Sequence, residues 1–192
     1  MTDNYEAAFI GVSAGGLQAL RTLLTAIAPS FPLPIVIVQH LKEGSDSYLA
    51  DYLNGVAAIQ VKEADDKEKL KAGVAYIAPA GYHLLVEDDR TLALSVDPPV
   101  QYSRPSVDVL FESAVYALGG RCIGVVLTGA NADGSRGLLA IKRAGGLAIV
   151  QNPATAEYST MPAAALRLVE ADYVVELEAI GLLLNEIAAS CS

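Results

Sequence analysis

Short apolar runs alternate along this chain with stretches in which apolar residues recur every three or four positions. AAFIGV (7–12) has the length and composition of a buried strand, and LQALRTLLTAIA (17–28) carries its leucines and alanines at helical spacing until Pro29 stops it. PIVIVQH (34–40) is β-branched and apolar on both sides, as in a parallel sheet covered on both faces. SDSYLADYLNGV (45–56) predicts a helix with Ser45 or Asp46 as its cap and Gly55 as its close. IQVKEA (59–64) predicts a third, shorter strand. VAYIAP (74–79) and HLLVEDDRTLALSV (83–96) read as strands, the second stretch folding into a hairpin around Asp88, Asp89 and Arg90. After the proline-containing loop 97–106, SVDVLFESAVYALGG (106–120) predicts a helix capped by Ser106 and stopped by Gly119. The alternation then resumes. CIGVVLTG (122–129) is a strand, ADGSRGLLAIKRAGG (132–146) a helix and LAIVQN (147–152) a strand. PATAEYSTMP (153–162) is a loop, AAALRLVE (163–170) a helix, and residues 172–190 a short strand and a last helix. This order predicts an α/β fold built on a mostly parallel sheet, with an antiparallel hairpin in the middle of the chain.

Composition narrows the class. The 192 residues are 53% hydrophobic and 18% charged, enough apolar material for one domain with a deep core and too much for a disordered chain. No internal repeat or long linker divides residues 1–192, so a single domain is expected. The net charge of −9 and the absence of a Lys/Arg cluster argue against a nucleic-acid partner. The stretch KEADDKEKLK (62–71) alternates in sign and reads as a solvated loop or helix end. Only two cysteines occur, Cys122 in an apolar run and Cys191 next to the end, and they form neither a metal-ligand spacing nor a disulfide framework. With no signal-peptide pattern and no apolar run long enough to cross a membrane, the expectation is a soluble cytoplasmic protein.

In open α/β sheets chemistry sits at the carboxyl ends of the strands. There the sequence places Ser13 after the first strand, His40 after the second, and Asp133 after the strand 122–129. A serine hydroxyl is a poor nucleophile until a neutral imidazole takes its proton. A carboxylate on the other ring nitrogen then fixes the tautomer and stabilises the imidazolium. The turn GVSAGG also fits G-x-S-x-G, a nucleophile elbow, with the Ala14 N–H as an oxyanion donor at a helix start. Each signal has a plainer reading. Ser13 could be a helix cap, His40 a satisfied polar residue, and Asp133 a turn residue. A phosphate cradle is disfavoured because Ser13 stands where G-x-G-x-x-G needs glycine and the second strand ends in His40, not an acid. His83 lies within a strand pattern and reads as structural.

FIGVSAGGLQAL, IVIVQHL, VAYIAPAGYHLLV, YSRPSVDVLFESA, GVVLTGANADGSRGLLAIKRAGG and ATAEYSTMPAAA, in this order, resemble the catalytic domain of CheB-type chemotaxis protein-glutamate methylesterases. The resemblance implies a modified doubly wound sheet with helices on both faces and an antiparallel hairpin. It also implies a serine hydrolase that removes methyl esters from glutamate γ-carboxyls on the cytoplasmic helices of chemoreceptors. Some members also deamidate receptor glutamines. The family's serine, histidine and aspartate fall on Ser13, His40 and Asp133. Its second oxyanion donor falls on the N–H of Ala130. Its arginine falls on Arg104, whose role is open between contact with a substrate carboxylate and anchoring of its loop. No metal or cofactor is implied. Ala14 stands where many members have threonine, and Ala130-Asn131 stands where the usual loop has Met-Gly. The receiver domain usual at the N-terminus is expected to be absent, leaving constitutive activity or control by a separate regulatory protein. An esterase outside chemotaxis on the same triad, and a non-catalytic binding module, are the alternatives.

Overall fold

The computed structural model describes residues 5–41 and 48–190. The predicted cap at Ser45 or Asp46 and the second cysteine, Cys191, lie outside the described residues. Seven strands form one parallel sheet: β1 (Ala7–Val12), β2 (Ile35–Gln39), β3 (Gln60–Glu63), β4 (Val74–Ile77), β7 (Cys122–Val126), β8 (Leu147–Gln151) and β9 (Tyr173–Val175). Their order is β3-β4-β2-β1-β7-β8-β9. VAYI therefore joins the main sheet, parallel to β2 and β3. Only β5 (His83–Val86) and β6 (Leu92–Ser95) form the antiparallel hairpin, with Val86 opposite Leu92.

Alternation along each strand sends side chains to two cores. Ile10 and Val12 of β1 and Ile35 and Ile37 of β2 pack beneath helices α1 (Gly16–Ala26), α2 (Tyr48–Asn54) and α6 (Leu177–Ser190), meeting Leu20, Leu23, Leu53 and Leu184. Phe9, Val36 and Val38 face the opposite side. There α3 (Val107–Leu118), α4 (Ser135–Arg143) and α5 (Thr160–Leu168) cover them with Leu110, Phe111, Leu138, Ile141 and Met161, and the hairpin adds Leu84, Val86 and Leu92. Each fully buried side chain of this size contributes about 1.5–3 kcal/mol relative to exposure. The ion pairs of residues 62–71, such as Lys62 with Asp65 and Glu68, lie at the surface, where such a pair is worth ~0–1 kcal/mol. The two apolar layers, not the charged loop, hold the fold.

One local detail differs from the sequence reading, and a second decides between its alternatives. Helix α5 begins at Thr160, three residues earlier than the composition suggests, with Pro162 in its first turn. Proline is tolerated there because first-turn N–H groups have no intrahelical acceptor. The stretch 62–71 begins as strand β3 and continues as a loop with no helix.

The chain runs outward from β1 to β2 on one side and later returns to β7 on the other. The sheet thus switches direction beside β1, which opens a crevice at the carboxyl ends of β1, β2 and β7. Gly11 in β1 lets α3 close over this end, since a Cβ there would stand 2.2 Å from Val107 Cγ1.

Cys122 sits inside the second core with its thiol toward the Ala114 carbonyl, and burial pushes its pKa up to about 12. In a Cys191→Ser variant at pH 8, a disulfide-exchange reagent should therefore titrate no thiol until denaturant is added. Rapid labelling of the native variant would contradict the buried placement.

Candidate active site

The first strand ends in Val12, and the backbone then turns sharply through Ser13 and Ala14. Gly15 takes φ +77°, a left-handed conformation that glycine adopts without steric strain, and caps α1, which begins at Gly16. The elbow is tied on three sides. Ser13 N–H donates to the Thr128 carbonyl at 3.0 Å, and Gly16 N–H donates to the Ser13 carbonyl at 3.0 Å. The Gln39 amide donates to the carbonyls of both Ser13 (2.9 Å) and His40 (3.0 Å), which locks the ends of β1 and β2 together. The Thr128 hydroxyl donates to the Ala14 carbonyl at 3.0 Å and accepts from Tyr158 N–H at 2.9 Å, which joins the end of β7 and the α5 approach to the same turn.

Asp133 lies in the loop between β7 and α4 and is fully buried. Its Oδ2 accepts from His40 Nε2 at 2.7 Å and from Val107 N–H at 2.7 Å. Its Oδ1 accepts from the Ser106 hydroxyl (2.9 Å) and from the N–H groups of Asp108 and Gly134 (3.0 Å each). Helix α3 thus directs its first-turn N–H groups and positive dipole end at one carboxylate. Burial alone would raise the Asp133 pKa and is the largest single influence. The His40 bond, the N–H donors of Asp108 and Val107, and the His40 charge together outweigh it and hold the carboxyl below its ordinary value.

Because Nε2–H donates to Asp133, Nδ1 is the basic nitrogen of His40. Ser13 and His40 line one cleft of about 430 Å³ together with Tyr102, Arg104 and Asn131. Among the described residues the Ser13 hydroxyl makes no hydrogen bond to His40. The Asn131 amide stands at Nδ1 instead, 3.1 Å away. The N–H groups of Ala14 and Ala130 have no protein acceptor among the described residues. The Arg104 guanidinium donates to the carbonyls of Val96 (2.9 Å) and Asp97 (3.2 Å). It braces the 97–106 loop while lining the cleft.

Gln39 and Thr128 escaped the sequence reading, whereas Ser106 was expected as a helix cap and Asn131 as a loop departure, without their contacts to Asp133 and His40. His83 is structural, as expected, but its place matters. It is buried, with Nε2 facing the Pro98 carbonyl at 3.2 Å, and its Nδ1 accepts from Ser106 N–H at 3.2 Å, so it supports the residue that braces Asp133.

Asp133→Ala would strand buried donors from Ser106, Val107, Asp108 and Gly134. Each unpaired buried group costs about 1–3 kcal/mol, so a loss of ~3 kcal/mol or more is expected in urea unfolding. A pKa lowered in the folded state contributes stability that is complete above the unfolded value of about 3.9 and is lost as pH falls through the folded value. The stability gap between wild type and Asp133→Asn should shrink as the pH falls below about 4, where the carboxylate is lost. A gap that stays constant or grows between about pH 4 and about pH 2 would contradict the assignment.

With this geometry in view, three comparisons converge. The family model for CheB methylesterase matches residues 8–184. A Leptospira interrogans protein, a candidate protein-glutamate methylesterase/protein-glutamine glutaminase, is 50% identical over 177 residues, covering 92% of each chain. A Clostridium acetobutylicum protein-glutamate methylesterase/protein-glutamine glutaminase is 39% identical over 177 residues, 92% of this chain and 51% of its own length, so the chain spans about half of that relative. The crystal structure of the Thermotoga maritima CheB methylesterase catalytic domain superposes with a TM-score of 0.92 at 32% identity, covering 95% of this chain and 98% of that one. A parallel sheet that switches direction at Ser13, His40 and Asp133 is thus joined to a matching sequence over nearly its whole length, and the chain belongs to the CheB methylesterase family.

Proposed function

We propose that this chain is a serine hydrolase that removes methyl esters from glutamate γ-carboxyls on the cytoplasmic helices of chemoreceptors. Deamidation of receptor glutamines is the related reaction at the same site. The observation that carries this reading is the 2.7 Å bond from His40 Nε2 to the buried Asp133 carboxylate, which leaves Nδ1 as the basic nitrogen in the cleft that Ser13 lines. The family membership supports the ester substrate. Residues 1–192 act in this reading as one catalytic domain. No described helix is long and apolar enough to cross a membrane, which accords with action on the cytoplasmic part of a receptor.

Ser13 Oγ attacks the γ-carbonyl carbon while His40 Nδ1 takes the hydroxyl proton. Asp133 stabilises the resulting imidazolium through Nε2–H. The negative oxygen of the tetrahedral intermediate accepts from the N–H groups of Ala14 and Ala130. Collapse of the intermediate breaks the ester C–O bond, and the proton on Nδ1 passes to the departing oxygen, which leaves as methanol. Water then gives a proton to His40 and attacks the acyl carbon. Departure of Ser13 Oγ, reprotonated by His40, releases the glutamate carboxylate. Methanol, the glutamate carboxylate and one proton released to solvent account for every atom of the ester and the water. The backbone donors survive replacement of the residues around them, because Ala14 and Ala130 contribute only their N–H groups. Methylation also removes a negative charge from the receptor helix, so a chain of net charge −9 repels the acidic product more than the ester.

Methanol release from methylated receptor tests the reading directly. Ser13→Ala should fall by about 10⁴-fold or more, since loss of a member of such a unit removes the covalent route. Equal release from wild type and variant would exclude Ser13 as nucleophile. Hydrolysis of a generic ester with none of methylated receptor would instead indicate an esterase outside chemotaxis.

A further inference from the structure

Asn131 is joined to both His40 and Asp133. The Asp133 N–H donates to Asn131 Oδ1 at 3.1 Å. A backbone N–H can only donate, so this bond fixes which end of the amide is oxygen. The other end, Nδ2, therefore faces His40 Nδ1 at 3.1 Å and can only donate to it. Nδ1 must be unprotonated, and Nε2 carries the proton given to Asp133 Oδ2 at 2.7 Å. Three bonds close a circuit that leaves the Asp133 main chain and returns to its own carboxylate. Asp133 alone already selects the Nε2–H tautomer, so the particular effect of Asn131 is on the lone pair of Nδ1.

The geometry points to Asn131 as a positioning residue that latches the basic nitrogen of His40 at rest. This rests on the reading of Ser13 as nucleophile and His40 as base. The amide occupies the lone pair that has to receive the Ser13 proton. Once Nδ1 is protonated, the ring N–H and the amide N–H₂ face each other as two donors, so Asn131 has to let go before Ser13 is activated. Asn131 itself lines the cleft beside Tyr102 and Arg104. A carbonyl entering that cleft offers its amide another acceptor, which couples release of the base to occupancy of the site.

Two readouts test the latch. In ¹⁵N spectra of the imidazole at a pH where His40 is neutral, wild type should show an unprotonated Nδ1 shifted by an accepted hydrogen bond. Asn131→Gly and Asn131→Ala should keep the Nε2–H tautomer but move Nδ1 toward the value of a free lone pair. The rate of Ser13 phosphonylation by a fluorophosphonate, at saturable concentrations below precipitation, should rise about three- to tenfold in both variants, the range expected for removing one net neutral hydrogen bond. Asn131→Asp should move the other way, because a carboxylate there holds a proton on Nδ1, and should slow labelling by at least that factor. A residue of merely structural importance would slow labelling in all three. An Nδ1 resonance identical in wild type, Asn131→Gly and Asn131→Ala would overturn the latch, as would slower labelling in both of those variants. The two readings fail separately: if Ser13 proves inert in wild type, the hydrolase assignment falls, while the Nδ1 shift still reports on the Asn131 contact.

Discussion

The site is organised around one buried negative charge. A carboxylate taken out of water is costly, and several kcal/mol per ion must be recovered from partners. Asp133 recovers it from the first turn of α3, from the Ser106 hydroxyl, from its neighbour Gly134 and from His40. Every one of these partners is thereby fixed in space. Helix α3 is anchored over the sheet, the loop after β7 is closed onto it, and the imidazole is held by one nitrogen with the other presented to the cleft. The residue that orients the His40 ring also holds the layer above it, and the proposed chemistry uses the same bonds.

The surrounding elements serve that constraint. The close approach of Val107 to Gly11 brings the α3 N-terminus down onto β1, and His83 steadies Ser106 from the hairpin side. Gln39 and Thr128 join the three strand ends through carbonyls, so the elbow at Ser13 cannot drift relative to β2 and β7. The switch in strand order beside β1 is what brings together residues 13, 40 and 133, which are far apart in the chain.

Much of this was legible in the sequence because it depends on local pattern. The β-branched run IVIVQ and the apolar CIGVV declare buried parallel strands, and residues that follow such strands fall at one rim. Ser13, His40 and Asp133 were readable for that reason, and Ser106 as a helix cap. What the pattern could not carry was partnership across the sheet. Gln39 looks like the polar end of a strand until its amide is seen between two carbonyls, and Thr128 looks like any residue before a turn. Asn131 registered only as a departure from the usual loop, since its contact with His40 joins residues 91 apart in the chain. Pro162 misled in another way. Proline suggests a loop, yet in a first helical turn its missing N–H costs nothing.

The proposed hydrolysis depends on Ser13 being made nucleophilic by His40 and Asp133, and the most direct measurement is the site of covalent capture. Incubation with a fluorophosphonate followed by proteolysis and peptide mass spectrometry should find the adduct on Ser13 in wild type. Labelling should be lost in His40→Ala, which leaves the Asp133 partners Ser106, Val107, Asp108 and Gly134 in place. An adduct on another residue, or Ser13 labelled equally well without His40, would contradict it.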